Sequence, residues 1–527
     1  MDGSDQFVVR QNPTSTPTAL KLIAVPGGLR DNYAADYYDA AGRLTAEENV
    51  GTSGGAVWTR PAAPDAADAS HLVTLFGYDA AGNQNSVTDP LGIVSTSSFD
   101  MLGQPVQTIA DESDPAGNPI QQTTAYTFDG DGHVLTMTAV MPGGTPSQTT
   151  QYIYGVGTNV GTDLFSNDLL ARIEYPDLST GAASSDPSND VSYTYDNLGE
   201  TASKTDQNGT PHLYSYDSLG RLTLDVLHSL GGNADSSVWA LGYSYNRQGL
   251  PFQQTSYSMD PTLGCGAPFV NQDQDQYNGF GQLTAEYQSA SGPVDTSSTP
   301  EVQYGYSSAL LGSRLTSMTY PNGRVIYYGY DGNALDNALG RVDYLADSDG
   351  THLADYTYLG LNAIVGQADG DGVTETTTLD NFGRIAEMNY ADAASNTSTD
   401  DFAYGYDADG NVLYKSNGVN ANFSELYAYD SLNRLTTFNR GTLAAGNNAI
   451  ATANPLPGAS QSWALDAIGN QTAVTTDTAT TTKTQNSQNE LTGMGGATLS
   501  YDNNGNMTAD QNGNTYIGSS GGSVANG

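Results

Sequence analysis

Residues 191–223 read VSYTYDNLGETASKTDQNGTPHLYSYDSLGRLT, a stretch that states one unit twice. Tyr195-Asp196-Asn197-Leu198-Gly199 is followed by Tyr216-Asp217-Ser218-Leu219-Gly220-Arg221-Leu222. Each Tyr-Asp pair ends a short alternating segment, such as Val191, Tyr193 and Tyr195, or Leu213 and Ser215. A period of two predicts strands with half of their side chains buried. The spacer has a turn mechanism. Asp accepts bonds from backbone N–H groups just ahead, the two middle residues suit a type I turn, and Gly takes the positive φ that closes a bulged hairpin. Asp206-Gln207-Asn208-Gly209 supplies the opposite turn, so the stretch predicts an antiparallel meander of hairpins.

The unit recurs along the chain. Tyr37-Tyr38-Asp39-Ala40-Ala41-Gly42-Arg43-Leu44 is the first full copy, and Tyr501-Asp502-Asn503-Asn504-Gly505 the last. Tyr78 to Phe99 and Tyr195 to Tyr216 both span 21 residues, which sets the repeat at two strands and two turns. In Tyr429-Asp430-Ser431-Leu432-Asn433-Arg434, Asn433 replaces the turn Gly, and Asn tolerates that left-handed conformation. Residues 51–70 and 441–460 read as long loops, and no segment of useful length has a helical period. The pattern Y-D-x-x-G-R-L-T, with D-x-x-G at the alternate turn, resembles the YD repeat of the RHS family. That family includes bacterial polymorphic toxins, insecticidal-toxin C components, wall-associated proteins and teneurins. The resemblance implies an all-β repeat array of antiparallel β-hairpins, a sheet spiralling into part of a hollow shell. The expected layout is an irregular segment 1–32 entering the sheet through Gln6–Arg10, the hairpin array 33–517, and a Gly/Ser-rich tail 518–527 taken as a truncation.

Composition agrees with an extended sheet. Hydrophobic residues make up only 37% of the 527, which suits two wet faces better than a thick core. The 34 tyrosines, placed at regular intervals, argue against disorder. A net charge of −41 disfavours nucleic acid and anionic membrane surfaces as partners. Of the thirteen arginines, Arg43, Arg221, Arg341, Arg384 and Arg434 directly follow the repeat turn or its variant, a structural distribution rather than a basic patch. Cys265 is alone, so no internal disulfide or cysteine metal site forms. No apolar run approaches the roughly 18 residues of a membrane span, and the N-terminus lacks the pattern of a signal peptide.

Chemistry-bearing patterns are sparse. His71, His133, His212, His228 and His352 share no ligand spacing, and no nucleophile-elbow or phosphate-loop motif occurs. Asp129/Asp131, Asp369/Asp371 and Asp407/Asp409 resemble the start of a calcium loop, but its closing Glu is replaced by Val140, Asp380 and Gly418, so plain turns are expected. Tyr193, Tyr195, Tyr214 and Tyr216 are expected in cross-strand ladders, and Trp58, Trp239 and Trp463 share no repeat position on which to build a sugar platform. No catalytic, cofactor-binding or metal residues are assigned, no cofactor is implied, and no enzymatic activity is expected.

What the resemblance implies is a non-catalytic shell segment of an RHS-type polymorphic toxin. Its partner would be a toxin domain encoded further C-terminal, and it would be exported or displayed at the cell surface within a longer parent protein. The alternative is an adhesion or carbohydrate-binding module built from YD repeats, with surface glycans as partners. Acidic residues close after turns, including Asp225, Glu286, Glu387 and Glu425, raise a further expectation: an acidic inner wall able to hold a basic, partly unfolded cargo.

Overall fold

The computed structural model describes residues 6–11, 30–157, 164–231, 235–263, 266, 268–308, 312–332, 334–360 and 363–516. Cys265 and the tail 518–527 lie outside them. Strand accounts for 52% and helix for 4%, and successive strands pair antiparallel almost throughout.

The hairpin Pro211–Tyr216 to Leu222–Leu227 shows why the motif folds as it does. The Asp217 amide donates to the Arg221 carbonyl at 2.9 Å, and the Gly220 amide to the Asp217 carbonyl at 3.0 Å. Asp217 Oδ1 accepts from the Leu219 amide at 2.8 Å and the Arg221 amide at 3.2 Å. Gly220 has φ +75°, and the register slips by one residue at Ser215/Tyr216. This is the bulged hairpin that the sequence predicts. Asn433 fills the same position with φ +59°.

The flanking Tyr and Arg join one repeat to the next. The Tyr245 hydroxyl reaches back to the Leu222 carbonyl at 3.0 Å, while Tyr78, Tyr406 and Tyr216 do the same to Leu44, Ile385 and Thr201. Arg221 grips its own turn through Asp217 Oδ2 and lies 4.3 Å over the Tyr245 ring. Arg43 and Arg384 sit over Tyr78 and Tyr406 in the same way. Two of the tyrosines expected in ladders, Tyr195 and Tyr216, donate instead to backbone carbonyls of earlier strands.

Three local features depart from the sequence reading. Gln6–Gln11 pairs parallel, not antiparallel, with Arg30–Tyr38. The insertion after Asp331 forms a single helical turn and a half, Ala334–Leu339, before Gly340-Arg341. The segment 441–460 is not all loop. Leu435–Leu443 extends into it and pairs with Ile450–Ala453, because Thr442 faces Thr452 and Leu443 faces Ile450 across the ladder.

The chain packs as two compact units, each built from two separate stretches: residues 1–124 with 327–481, and 125–326 with 482–527. Within each, turn tips from distant segments meet. In the first, Thr52 donates its amide to the Asn381 carbonyl at 2.8 Å across a separation of 329 residues. In the second, Asn504 donates to Asp206 at 2.6 Å and Asn208 to Asp502 at 3.1 Å, so an alternate turn docks on a Tyr-Asp turn. The apolar core is thin. A cluster of Ala35, Tyr37 and Ala46 in the first unit is covered by Trp58.

Candidate functional site

Seven successive strands of the second unit, from Pro211–Tyr216 through Glu301–Tyr306, carry a sheet with two different faces. Within Phe269–Tyr277 and Leu283–Ser289 the alternation is strict from Asn271 to Gln274 and from Ala285 to Ser289. Gln272, Gln274, Ala285, Tyr287 and Ser289 are buried, while Asn271, Asp273, Glu286 and Gln288 are exposed. The buried face is polar but satisfied where its amides pair: Gln272 donates to Thr255 at 2.7 Å and Gln253 to Gln274 at 2.7 Å.

The other face lines a cavity of about 1190 Å³. Six carboxylates border it, including Asp225, Asp273, Asp275 and Glu286, and among the described residues that line it there is no Lys or Arg. Asp275 stands directly opposite Glu286 in the strand register, and Asp273 lies two residues before it on the same face. Like charges directly opposite one another destabilise a sheet, so this placement opposes folding stability. Partial loss of solvent in the cavity wall first, and then the charge of Glu286, holds both Asp273 and Asp275 above the usual carboxylate range. Neighbouring hydroxyls soften the repulsion: Tyr277 donates to Asp275 at 3.1 Å, and Tyr304 donates to Glu286. At the far end His212 Nδ1 lies 2.9 Å from Asp225 Oδ1. The arrangement offers an anionic surface with no Lys or Arg among its described lining residues, suited to binding ammonium or guanidinium groups.

Two of the four acids singled out in the sequence, Asp225 and Glu286, border this cavity. Glu387 is exposed in the first unit, and Glu425 is a structural residue there, paired with Arg440 at 2.6 Å. Asp273 and Asp275 escaped the sequence reading, although Asn271, Asp273 and Asp275 at alternate positions carry the signal for one polar face. The calcium-like pairs serve as turns. Asp129 Oδ1 accepts from the Asp131 and His133 amides, and Asp407 Oδ1 from the Asn411 amide. The histidines share no sequence spacing, yet His71, His133, His212 and His352 each face a carboxylate. Of the tryptophans, Trp239 borders the cavity, together with Tyr243.

No protein-family model and no curated protein matches the chain. Solved structures do. The Photorhabdus luminescens Tc holotoxin pore with a mutated TccC3 aligns at TM-score 0.51 and 14% identity, over 83% of this chain and 24% of that one. A TcdB2-TccC3-TEV crystal structure aligns at TM-score 0.52 and 13% identity, over 91% and 26% of the respective chains. A TcdB2-TccC3-Cdc42 crystal structure aligns at 0.51 and 14%, over 90% and 26%. The likeness is one of fold, an RHS-repeat shell-like architecture, and the chain spans about a quarter of the length of the chains it matches.

Proposed function

We propose, from this shell-like fold, that the chain is a non-catalytic wall segment of an RHS-type toxin and that its acidic sheet face holds a basic, partly unfolded toxin cargo encoded in the same parent protein. The observation that carries the reading is the set of open-face carboxylates Asp225, Asp273, Asp275 and Glu286, bordering a cavity with no lysine or arginine among its described lining residues. A face of aligned acids costs stability, and a cationic guest relieves that cost. Attraction of this kind is screened by salt and does not require the guest to fold. Export within the parent protein follows from the same reading.

The test uses the full chain and a basic unfolded polypeptide, with retention measured against salt concentration. Steeply falling retention as salt rises is expected, together with a loss at acidic pH where Asp273 and Asp275, already shifted upward, become neutral. A triple variant Asp273→Asn, Asp275→Asn, Glu286→Gln should retain far less. No retention at low salt would reject the cargo-holding role. A second reading, glycan binding, is favoured by the presence of Trp239 and Tyr243 at the same cavity. Binding of a neutral oligosaccharide that is insensitive to salt and abolished by Trp239→Ala would establish that alternative.

A further inference from the structure

Between Leu44–Gly51 and Leu72–Tyr78 of the first unit, the chain leaves the sheet and folds back against it. Trp58 covers the Ala35–Tyr37–Ala46 cluster, and Arg60 donates to the Asp36 carbonyl at 2.9 Å while lying 4.4 Å over the Tyr37 ring. The segment returns through the bridge between Asp68 and His71. This route brings Asp65 and His71 beside Glu48, a glutamate only 1% exposed.

Glu48 is held on one side only. Its Oε2 accepts from the Tyr37 hydroxyl at 2.6 Å, whereas its Oε1 is buried without a hydrogen-bond partner. A buried carboxylate oxygen left bare is costly unless a proton or a cation meets it. Arg60, the one Arg or Lys between Gly51 and Leu72 in the sequence, is directed to the Asp36 carbonyl and the Tyr37 ring. A carboxylate oxygen of Glu48, one of Asp65 and a ring nitrogen of His71 all lie within 4.8 Å of one another. His71 Nε2 is 3.5 Å from Asp65 Oδ2.

We propose that Glu48, Asp65 and His71 form a binding site for a divalent transition-metal cation of the zinc class. Metal–ligand bonds of about 2.0–2.2 Å in a tetrahedron place neighbouring donor atoms roughly 3.3–3.6 Å apart, and the His71–Asp65 separation falls there. His71 Nδ1 faces Asp68 Oδ1 at 3.2 Å. That bond directs the Nδ1 proton to Asp68 and leaves the Nε2 lone pair for a metal, the support that metal-bound histidines have. Tyr37 orients Glu48 in the same manner. Two carboxylates match the charge of a dication. One imidazole and only three protein donors suit zinc, cobalt or manganese better than calcium, which takes six to eight oxygens. Half-exposed Asp65 and partly exposed His71 leave the fourth position open to water.

The test is calorimetric titration of the chelator-treated full chain with zinc, and separately the visible spectrum of its cobalt complex. One zinc per chain and tetrahedral cobalt bands are expected. His71→Ala should abolish both, Glu48→Gln should weaken zinc at least tenfold, and Asp68→Asn should weaken it about 10-fold through loss of support. His352→Ala is the control, since His352 also faces a carboxylate, Asp355 at 2.7 Å, and should bind like the parent. Far-UV circular dichroism confirms folding, and if Glu48→Gln unfolds, His71→Ala alone decides. Absence of one-to-one binding, or zinc binding undiminished in folded His71→Ala, overturns the proposal and reduces the uptake to diffuse attraction by the chain's 58 acidic residues.

Discussion

Replacing Gly51 by Ala should open the docking of two segments that lie 329 residues apart, whereas the same change at Gly42 should cost only local strain. Both glycines are left-handed, with φ +58° at Gly51 and +81° at Gly42. An L-residue in that conformation costs about 1–2 kcal/mol. At Gly42 a Cβ meets nothing within 4 Å, so strain is the whole effect. At Gly51 the Cβ would fall 2.1 Å from the Asn381 carbonyl oxygen and 3.1 Å from the Phe382 ring. Backbone cannot yield as a flexible side chain does, so the two segments must part. The Thr52 amide then loses the Asn381 carbonyl at 2.8 Å, and the Thr52 hydroxyl loses Asn381 Oδ1 at 2.9 Å. At about 0.5–1.5 kcal/mol each, these two bonds put Gly51→Ala about 1–3 kcal/mol beyond Gly42→Ala. Hydrogen exchange reads the difference directly. In Gly51→Ala, the Thr52 amide and the turn around Asn381 should lose protection, while Gly42→Ala leaves both intact. Equal protection in the two variants would refute the docking of these tips.

Gly220→Val should destabilise its hairpin by roughly 1–3 kcal/mol, because φ +75° is strained for Val, and Ser218→Ala should be nearly neutral. Equal unfolding midpoints would contradict the turn assignment. Arg221→Lys should cost about 1 kcal/mol, since Lys keeps the charge but loses the forked grip on Asp217 and the stack on Tyr245, and a thermal melt unchanged from the parent would count against that link. Asp409 is pushed up to about 6 by burial and then by the facing Asp89. A raised folded-state value means its contribution is fully present below the ordinary aspartate value of 3.8 and is lost as pH rises through about 6. Asp409→Asn should therefore raise the unfolding free energy above pH 6 by about 1–2 kcal/mol after solvent screening, and leave it unchanged near pH 4, as denaturant melts at the two pH values would show. A gain of the same size at both pH values would show that the shift has another cause.

The hairpin was legible in the sequence because every interaction that makes it is local. Asp217, Gly220 and Arg221 lie within five residues, and the type I turn, the bulge and the ion pair follow from their chemistry alone. The period of two next to each turn was equally readable, as in the alternating burial that ends Leu283–Ser289. What tertiary structure decided is which hairpins meet. Nothing near Gly51 in the chain announces Asn381, and the two facing asparagine turns at Asn208 and Asn504 look like any other turn until they exchange bonds. The acids of the cavity were half visible. Asp225 and Glu286 stood out close after their turns, whereas Asp273 and Asp275 did not, and only the register of adjacent strands set Asp275 opposite Glu286. The Glu48–Asp65–His71 cluster had no sequence signature at all. It depends on a strandless segment turning back across a strand, and a fold-back of that kind is specified by packing against Trp58 and Tyr37 rather than by spacing along the chain.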